Sequence, residues 1–161
     1  MEYAASYASP IGPLLLLSDG ENLTGLYLNR AVPANSEKKP VFRQTAVWLD
    51  AYFQGKELPQ MPPIKLRGTA FQRLIWDMLP GIPLGEVRTY GDLAKAAAKI
   101  LGKEKMSAQA VGQAVGKNPV SIIVPCHRII GAGGKLTGYG GGMENKIWLL
   151  QHEGYLKKGE T

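Results

Sequence analysis

The chain has 161 residues, 45% of them hydrophobic and 20% charged, with a net charge of +6 and a single cysteine. That length holds one ordinary domain or two small ones. No apolar run approaches membrane-spanning length and no basic, apolar leader opens the chain, so neither a membrane segment nor a secretion signal is expected.

One cysteine excludes an intrachain disulfide framework and a Cys-rich zinc site. With only His127 and His152 besides, no structural metal is expected, and the expected compartment is the reducing cytoplasm. The positive charge is uneven: residues 1–67 carry 7 Lys/Arg against 6 Asp/Glu, and residues 68–161 carry 12 against 7. A polyanionic partner would therefore meet the second half.

Three short strand-like runs open the chain, at residues 2–9, 14–19 and 23–28, punctuated by Pro10, Gly12-Pro13 and Asp19-Gly20. They predict a small antiparallel meander. After a polar segment at 33–39, Phe42, Ala46, Leu49 and Phe53 recur at helical spacing, with Gly55 as the stop. The proline-rich segment 57–65 reads as a linker. The expected division is thus residues 1–67 and residues 68–161.

In the second half, Thr69 with Gln72 forms a capping box for a helix whose inner face is Phe71, Leu74, Ile75, Met78 and Leu79. Thr89 with Asp92 opens another, with Leu93, Ala97, Ile100 and Leu101 inward. A lysine-rich turn leads to Ser107, the N-cap of a short third helix ending at Gly116. Two such helices joined by a turn form the helix-turn-helix pattern.

On the third helix, Ala110, Val111, Ala114 and Val115 share one face, and Gln109, Gly112, Gln113 and Gly116 line the other. Two glycines cost a short helix roughly 1 kcal/mol each. Close approach of another backbone compensates for such a loss, either inside the protein or on a nucleic acid. Both readings stay open on this pattern alone.

Residues 121–124, Ser-Ile-Ile-Val, predict a short strand ended by Pro125. Cys126-His127-Arg128 follows. A lone cysteine beside a strand is most often an inert buried hydrophobe. Here basic neighbours favour the thiolate, and Glu153, at the end of a helix over 144–152, is available to orient His127. The result is a candidate Cys–His–Glu relay, with His127 reaching the thiol directly or through one water. The segment 131–142 holds seven glycines in twelve residues. It has no Walker or dinucleotide fingerprint and is expected to close over a pocket, with Tyr139 as its only aromatic.

Val124-Pro125-Cys126-His127-Arg128 resembles the active-site signature of the O6-alkylguanine-DNA alkyltransferases. The similarity extends through Gly85-Glu86-Val87, Thr89-Tyr90-Gly91, Ala110-Val111-Gly112, Lys117-Asn118-Pro119, Tyr139-Gly140-Gly141 and Leu149-Leu150-Gln151-His152-Glu153-Gly154, in order, across residues 68–161. The resemblance implies an α+β fold, with a small N-terminal ribonuclease-H-like sheet-and-helix subdomain and a mostly helical C-terminal domain carrying the helix-turn-helix.

It further implies that Cys126 accepts the alkyl group irreversibly, once per molecule and without a cofactor. His127 would be the water-linked base, and Glu153 the acid completing the relay. Asn118 would hold the backbone near the thiol, Tyr90 would contact the flipped base and protonate the departing guanine, and Tyr139 would line the base pocket. The partner would be double-stranded DNA containing O6-alkylguanine, with O4-alkylthymine a second candidate, met by a monomer through the minor groove. Ser107, Gln109, Gly112, Gln113 and Gly116 would form the DNA-facing set, with Arg88 and Arg128.

One departure stands out. The family's recognition helix usually carries an arginine that fills the gap left by the extruded nucleotide, and Gln109 occupies that place. Lys103 and Lys105, on a turn longer than in some relatives, are expected to restore part of the phosphate attraction. Two other readings compete. A non-catalytic DNA-flagging relative would lack Cys126, and a thiol hydrolase would normally draw its histidine from distant sequence.

Overall fold

Alternate residues Leu14, Leu16 and Ser18 of strand β2 (Gly12–Ser18) are buried while their neighbours are not, the period expected of a sheet with one covered face. β2 pairs antiparallel with β1 (Tyr3–Ser9) and β3 (Leu23–Tyr27), in the order β1-β2-β3, with an irregularity between Leu17 and Ser18. Helix α1 (Pro40–Phe53) begins with a proline, whose missing N–H would have had no helical partner there. Its buried stripe is Val41, Phe42, Thr45, Trp48, Leu49 and Tyr52. Ala46 and Phe53, expected inward, are only half-buried. Trp48 and Tyr52, stacked 5.5 Å apart, take their place because two large rings bury far more surface than an alanine.

The computed structural model describes residues 1–157, so residues 158–161 of the expected second domain lie outside the described residues. The chain forms two compact units, Met1–Arg67 with Pro119–Ile123, and Gly68–Asn118 with the chain from Val124 onward. The five residues 119–123 join the first unit because Leu26 donates its backbone N–H to the Pro119 carbonyl (2.8 Å) and Ser121 donates to that of Leu26 (3.0 Å).

The strand predicted over 121–124 does not form. Val120 makes one isolated parallel bridge to Leu26, and the chain then folds into a tight turn in which the Ile123 N–H reaches the Ser121 carbonyl at 2.8 Å. Ile122 sits at φ +71°, a strained conformation for a β-branched residue. Hydrophobicity alone cannot separate a short buried strand from a buried turn.

In the second unit, α2 (Ala70–Met78) carries both halves of its capping box: the Gln72 N–H donates to Thr69 Oγ1 at 3.1 Å, and the Thr69 N–H donates to Gln72 Oε1 at 2.9 Å. The Trp76 indole donates to the Ala114 carbonyl at 2.7 Å, tying α2 to α4 (Ala108–Gly116). Between them, the two-residue strand β4 (Arg88–Thr89) runs into α3 (Tyr90–Leu101), whose start is closed by the reciprocal Thr89 and Asp92 bonds. β4 pairs in parallel with β5 (Ile129–Ile130), Arg88 beside Ile129 and Thr89 beside Ile130. Helix α5 (Met143–His152) completes the unit.

The helix-turn-helix is α3, the turn through Gly102 to Ser107, and α4. The buried residues of α3 are Leu93 and three alanines, Ala94, Ala97 and Ala98. Ile100 and Leu101, expected inward, are exposed. Ile100 lies roughly a quarter-turn from the centre of that stripe, and Leu101 falls in the last turn before the Gly102 cap. Among the described residues, no helix is long and apolar enough to cross a membrane.

Candidate active site

Pro125, at φ −83° and ψ 68°, turns the chain sharply, so that the Cys126 N–H bonds back to the Val124 carbonyl at 2.8 Å. Residues Cys126–Arg128 then form one short 3-10 turn that leads directly into β5. Three consecutive functional side chains thus leave the backbone in different directions. Cys126 is 6% exposed and His127 fully buried.

Glu153 reaches this turn from just beyond α5, where it caps the helix and Gly154 follows at φ +88°. Gly85, at φ +83°, makes that approach possible: a Cβ there would stand 3.2 Å from the Glu153 carbonyl. The Glu153 carboxylate Oε2 lies 2.5 Å from His127 Nε2. Arg128 grips the same carboxylate with a fork, Nε to Oε1 at 2.7 Å and Nη2 to Oε2 at 3.0 Å, and gives Nη1 to the Ile82 carbonyl at 2.8 Å.

Arg128 was expected at the DNA-facing surface. It is instead 6% exposed, with its guanidinium committed to Glu153 and a backbone carbonyl. A planar fork matches a carboxylate, and a buried carboxylate with one histidine neighbour needs a second donor.

Burial alone would raise the Glu153 pKa, but hydrogen bonds and charge from His127 and Arg128 bring it down to about 2. The His127 imidazole is shifted the other way from a simple ion pair. Desolvation lowers its pKa and outweighs the pull of Glu153, and the Arg128 and Lys146 charges add to the lowering. The ring is therefore neutral at neutral pH. Ionised Glu153 accepts its Nε2–H, which leaves Nδ1 as the basic nitrogen. That Nδ1 is buried with no hydrogen-bond partner among the described residues.

The expectation that basic neighbours hold Cys126 as a thiolate does not survive. Burial raises the thiol's pKa, and this exceeds the lowering from an Asn118 hydrogen bond, the Lys146 charge and a Tyr139 hydrogen bond. Cys126 rests as a thiol. Arg128, two residues on in sequence, spends its charge on Glu153.

Asn118 is buried and donates Nδ2 to the Val124 carbonyl at 2.7 Å, bracing the turn that presents the sulfur. Tyr90, the first residue of α3, places its hydroxyl 3.0 Å from Thr137 Oγ1. On α4, Gln109, Gln113 and Gly116 are exposed and Gly112 half-buried, and Ser107 Oγ accepts the Ala110 N–H at 3.1 Å. A Cβ at Gly116 would meet nothing within 4 Å, and one at Gly112 would make only ordinary contact, 3.6 Å from the Tyr90 ring. Packing inside the protein does not require these glycines. Arg88 is half-exposed, its Nη1 on the Val87 carbonyl at 2.9 Å and 3.3 Å from Glu86.

One buried cation was not anticipated. Lys146 is 1% exposed, donates Nζ to the Ile129 carbonyl at 2.6 Å, and acts electrostatically on Cys126. Desolvation draws its pKa down to about 8, against the opposing pull of Cys126. The signal was present in the sequence: Lys146 keeps helical register with Leu149, Leu150 and Glu153, so a charge lies on the inward stripe of α5.

Comparison with known proteins bears on this arrangement. Residues 70–155 match the family model described as 6-O-methylguanine DNA methyltransferase, DNA binding domain, and residues 3–66 match that of its ribonuclease-like domain. A methylated-DNA–protein-cysteine methyltransferase of Haemophilus influenzae is 43% identical over 98% of this chain and 90% of its own. One of Methanosarcina acetivorans is 44% identical over 94% and 98%. The crystal structure of Mycobacterium tuberculosis OGT in complex with DNA superposes with a TM-score of 0.79 at 44% identity, covering 92% of this chain and 91% of that one.

Proposed function

Since this chain belongs to the 6-O-methylguanine DNA methyltransferase family, we propose that it repairs DNA by moving the alkyl group of O6-alkylguanine onto Cys126. The observation that carries the reading is the His127 ring, fixed by Glu153 through Nε2 at 2.5 Å, with a buried Nδ1 that has no hydrogen-bond partner among the described residues, one residue from the only cysteine.

In this reading His127 takes the thiol proton at Nδ1 through one water. The charged imidazolium then forms against an ionised carboxylate that is already held by Arg128. The thiolate, next to Lys146, attacks the alkyl carbon. A carbon–sulfur bond forms and the O6–carbon bond breaks, its electron pair staying with the guanine. Tyr90 supplies a proton to the departing base, and the proton released by the thiol restores the phenol. The products are a thioether and neutral guanine. Thioethers are poor leaving groups, so each molecule acts once, and every atom of the reaction is supplied by thiol and substrate.

The alkylated oxygen is unreachable inside a duplex, so the nucleotide must be rotated out. The outward Gln109–Gly116 face of α4 suits the minor groove because its small residues admit a backbone. Gln109 would stand in the gap, able to stack and to hydrogen-bond to the orphaned base. Tyr139 would line the base pocket, and Ser107 and Arg88 would flank the groove. The single reduced cysteine fits a cytoplasmic setting.

The test is intact-mass measurement after incubation with a duplex containing O6-methylguanine. The wild type is expected to gain one methyl, localised to Cys126, and Cys126→Ser is expected to gain none. Binding without mass gain would favour a flagging role, and catalytic turnover of a thioester a hydrolase.

A further inference from the structure

We propose that Thr137 is a positioning residue for the transfer, donating its hydroxyl hydrogen to the Tyr90 oxygen so that the phenol proton is aimed at the base. This rests on the reading of Tyr90 as the proton donor. The two oxygens are 3.0 Å apart and 47 residues apart in sequence, in a half-buried setting. Either atom can donate in isolation. Once the Tyr90 hydrogen points at a substrate nitrogen, its oxygen can only accept from Thr137. A donor at that oxygen also stabilises the negative charge that grows there as the proton leaves.

Both partners are held from behind. The Tyr90 ring lies over Gly112 of α4, where even an added Cβ would touch the ring at 3.6 Å. On the loop side, the Gly131 N–H bonds to the Lys135 carbonyl at 2.7 Å, closing a short reversal. The Thr137 methyl packs so near Gly131 that a Cβ there would come within 3.1 Å of it. Lys146 Nζ, anchored on Ile129, also reaches the Thr137 carbonyl at 3.4 Å. The methyl face is occupied and the hydroxyl face looks at Tyr90. An isolated surface threonine would have no such fixed direction.

The experiment measures the single-turnover rate of methyl transfer from duplex DNA for Thr137→Val, Thr137→Ala, Thr137→Ser and Tyr90→Phe, with Thr137→Val also placed in the Tyr90→Phe background. Thr137→Val and Thr137→Ala are each expected to slow transfer about tenfold or more, with DNA affinity unchanged. Thr137→Ser is expected to restore the rate, and Thr137→Val to cost nothing further once Tyr90 is phenylalanine. Alkylation of Cys126 by iodoacetamide, whose leaving iodide needs no proton, is expected to be the same in wild type and Thr137→Val.

A slow Tyr90→Phe beside a fast Thr137→Val and Thr137→Ala overturns the assignment to Thr137. An equal loss in the Tyr90→Phe background, or a parallel loss with iodoacetamide, also overturns it, since the effect would then be structural. A fast Tyr90→Phe removes the underlying role of Tyr90 itself.

Discussion

His127 and Glu153 meet at 2.5 Å although 26 residues separate them, and the same carboxylate is gripped from its other side by Arg128. The histidine is neutral and the acid ionised, so the pair is a hydrogen bond ready to become an ion pair when a proton arrives at Nδ1. Arg128 keeps the acid charged until then.

Arg128→Met leaves Glu153 buried with one donor in place of the fork. Breaking a buried pair in this way costs about 3–5 kcal/mol. Urea denaturation is expected to show that loss, while the DNA affinity of the folded protein keeps its salt dependence. A lowered salt slope with intact stability would return Arg128 to the DNA surface.

Acid should destabilise the fold through Glu153. In the unfolded chain this acid takes up its proton near 4.5, and in the folded protein only near 2. The folded state binds the proton more weakly, so the stabilisation is complete above about 4.5 and is lost as pH falls toward 2. The span corresponds to at most about 3 kcal/mol. Denaturation midpoints at pH 5, 4 and 3 are expected to fall less steeply for Glu153→Gln than for the parent.

Gly112→Ala separates the two explanations of the glycines on α4. No internal contact forbids the added methyl, so helix propensity should raise stability by about 0.5–1 kcal/mol. DNA affinity should fall, because Gly112 lies on the Gln109–Gly116 face proposed to meet the duplex. Thermal unfolding and a binding titration on the same preparation read both quantities.

Lys103 and Lys105 are exposed on the turn between α3 and α4. If each neutralises one phosphate, the slope of log affinity against log salt should drop by about 0.9 for each lysine replaced by alanine. An unchanged slope would leave the missing arginine's charge uncompensated.

Local chemistry made parts of this fold legible in the sequence. The caps at Thr69, Thr89 and Ser107 rest on side chains bonding to their own first turn, and all three close as expected. Residues 121–124 read as a strand because the hydrogen bonds that impose the turn at Ile122 come from β3, far away in sequence. The settings of Arg128 and Lys146 are hidden for a related reason, although the register of Lys146 on α5 already marks it as inward. Their partners, Glu153, Ile82, Ile129 and Thr137, are defined only once the chain has folded, and a basic residue in a positively charged half looks like surface. The thiol's protonation likewise turns on burial, which neighbouring letters do not report.

The pairing of Arg88-Thr89 with Ile129-Ile130 has a consequence for how this protein tolerates change. Because Tyr90 starts directly after one strand and Cys126 lies three residues before the other, two rungs of ladder act as a ruler between sulfur and phenol. Lengthening the turn at 102–107 leaves that ruler untouched. Inserting a single residue between 126 and 129 would slip the register and turn alternate side chains to the opposite face, so a change of length is tolerated in the turn and not in this segment.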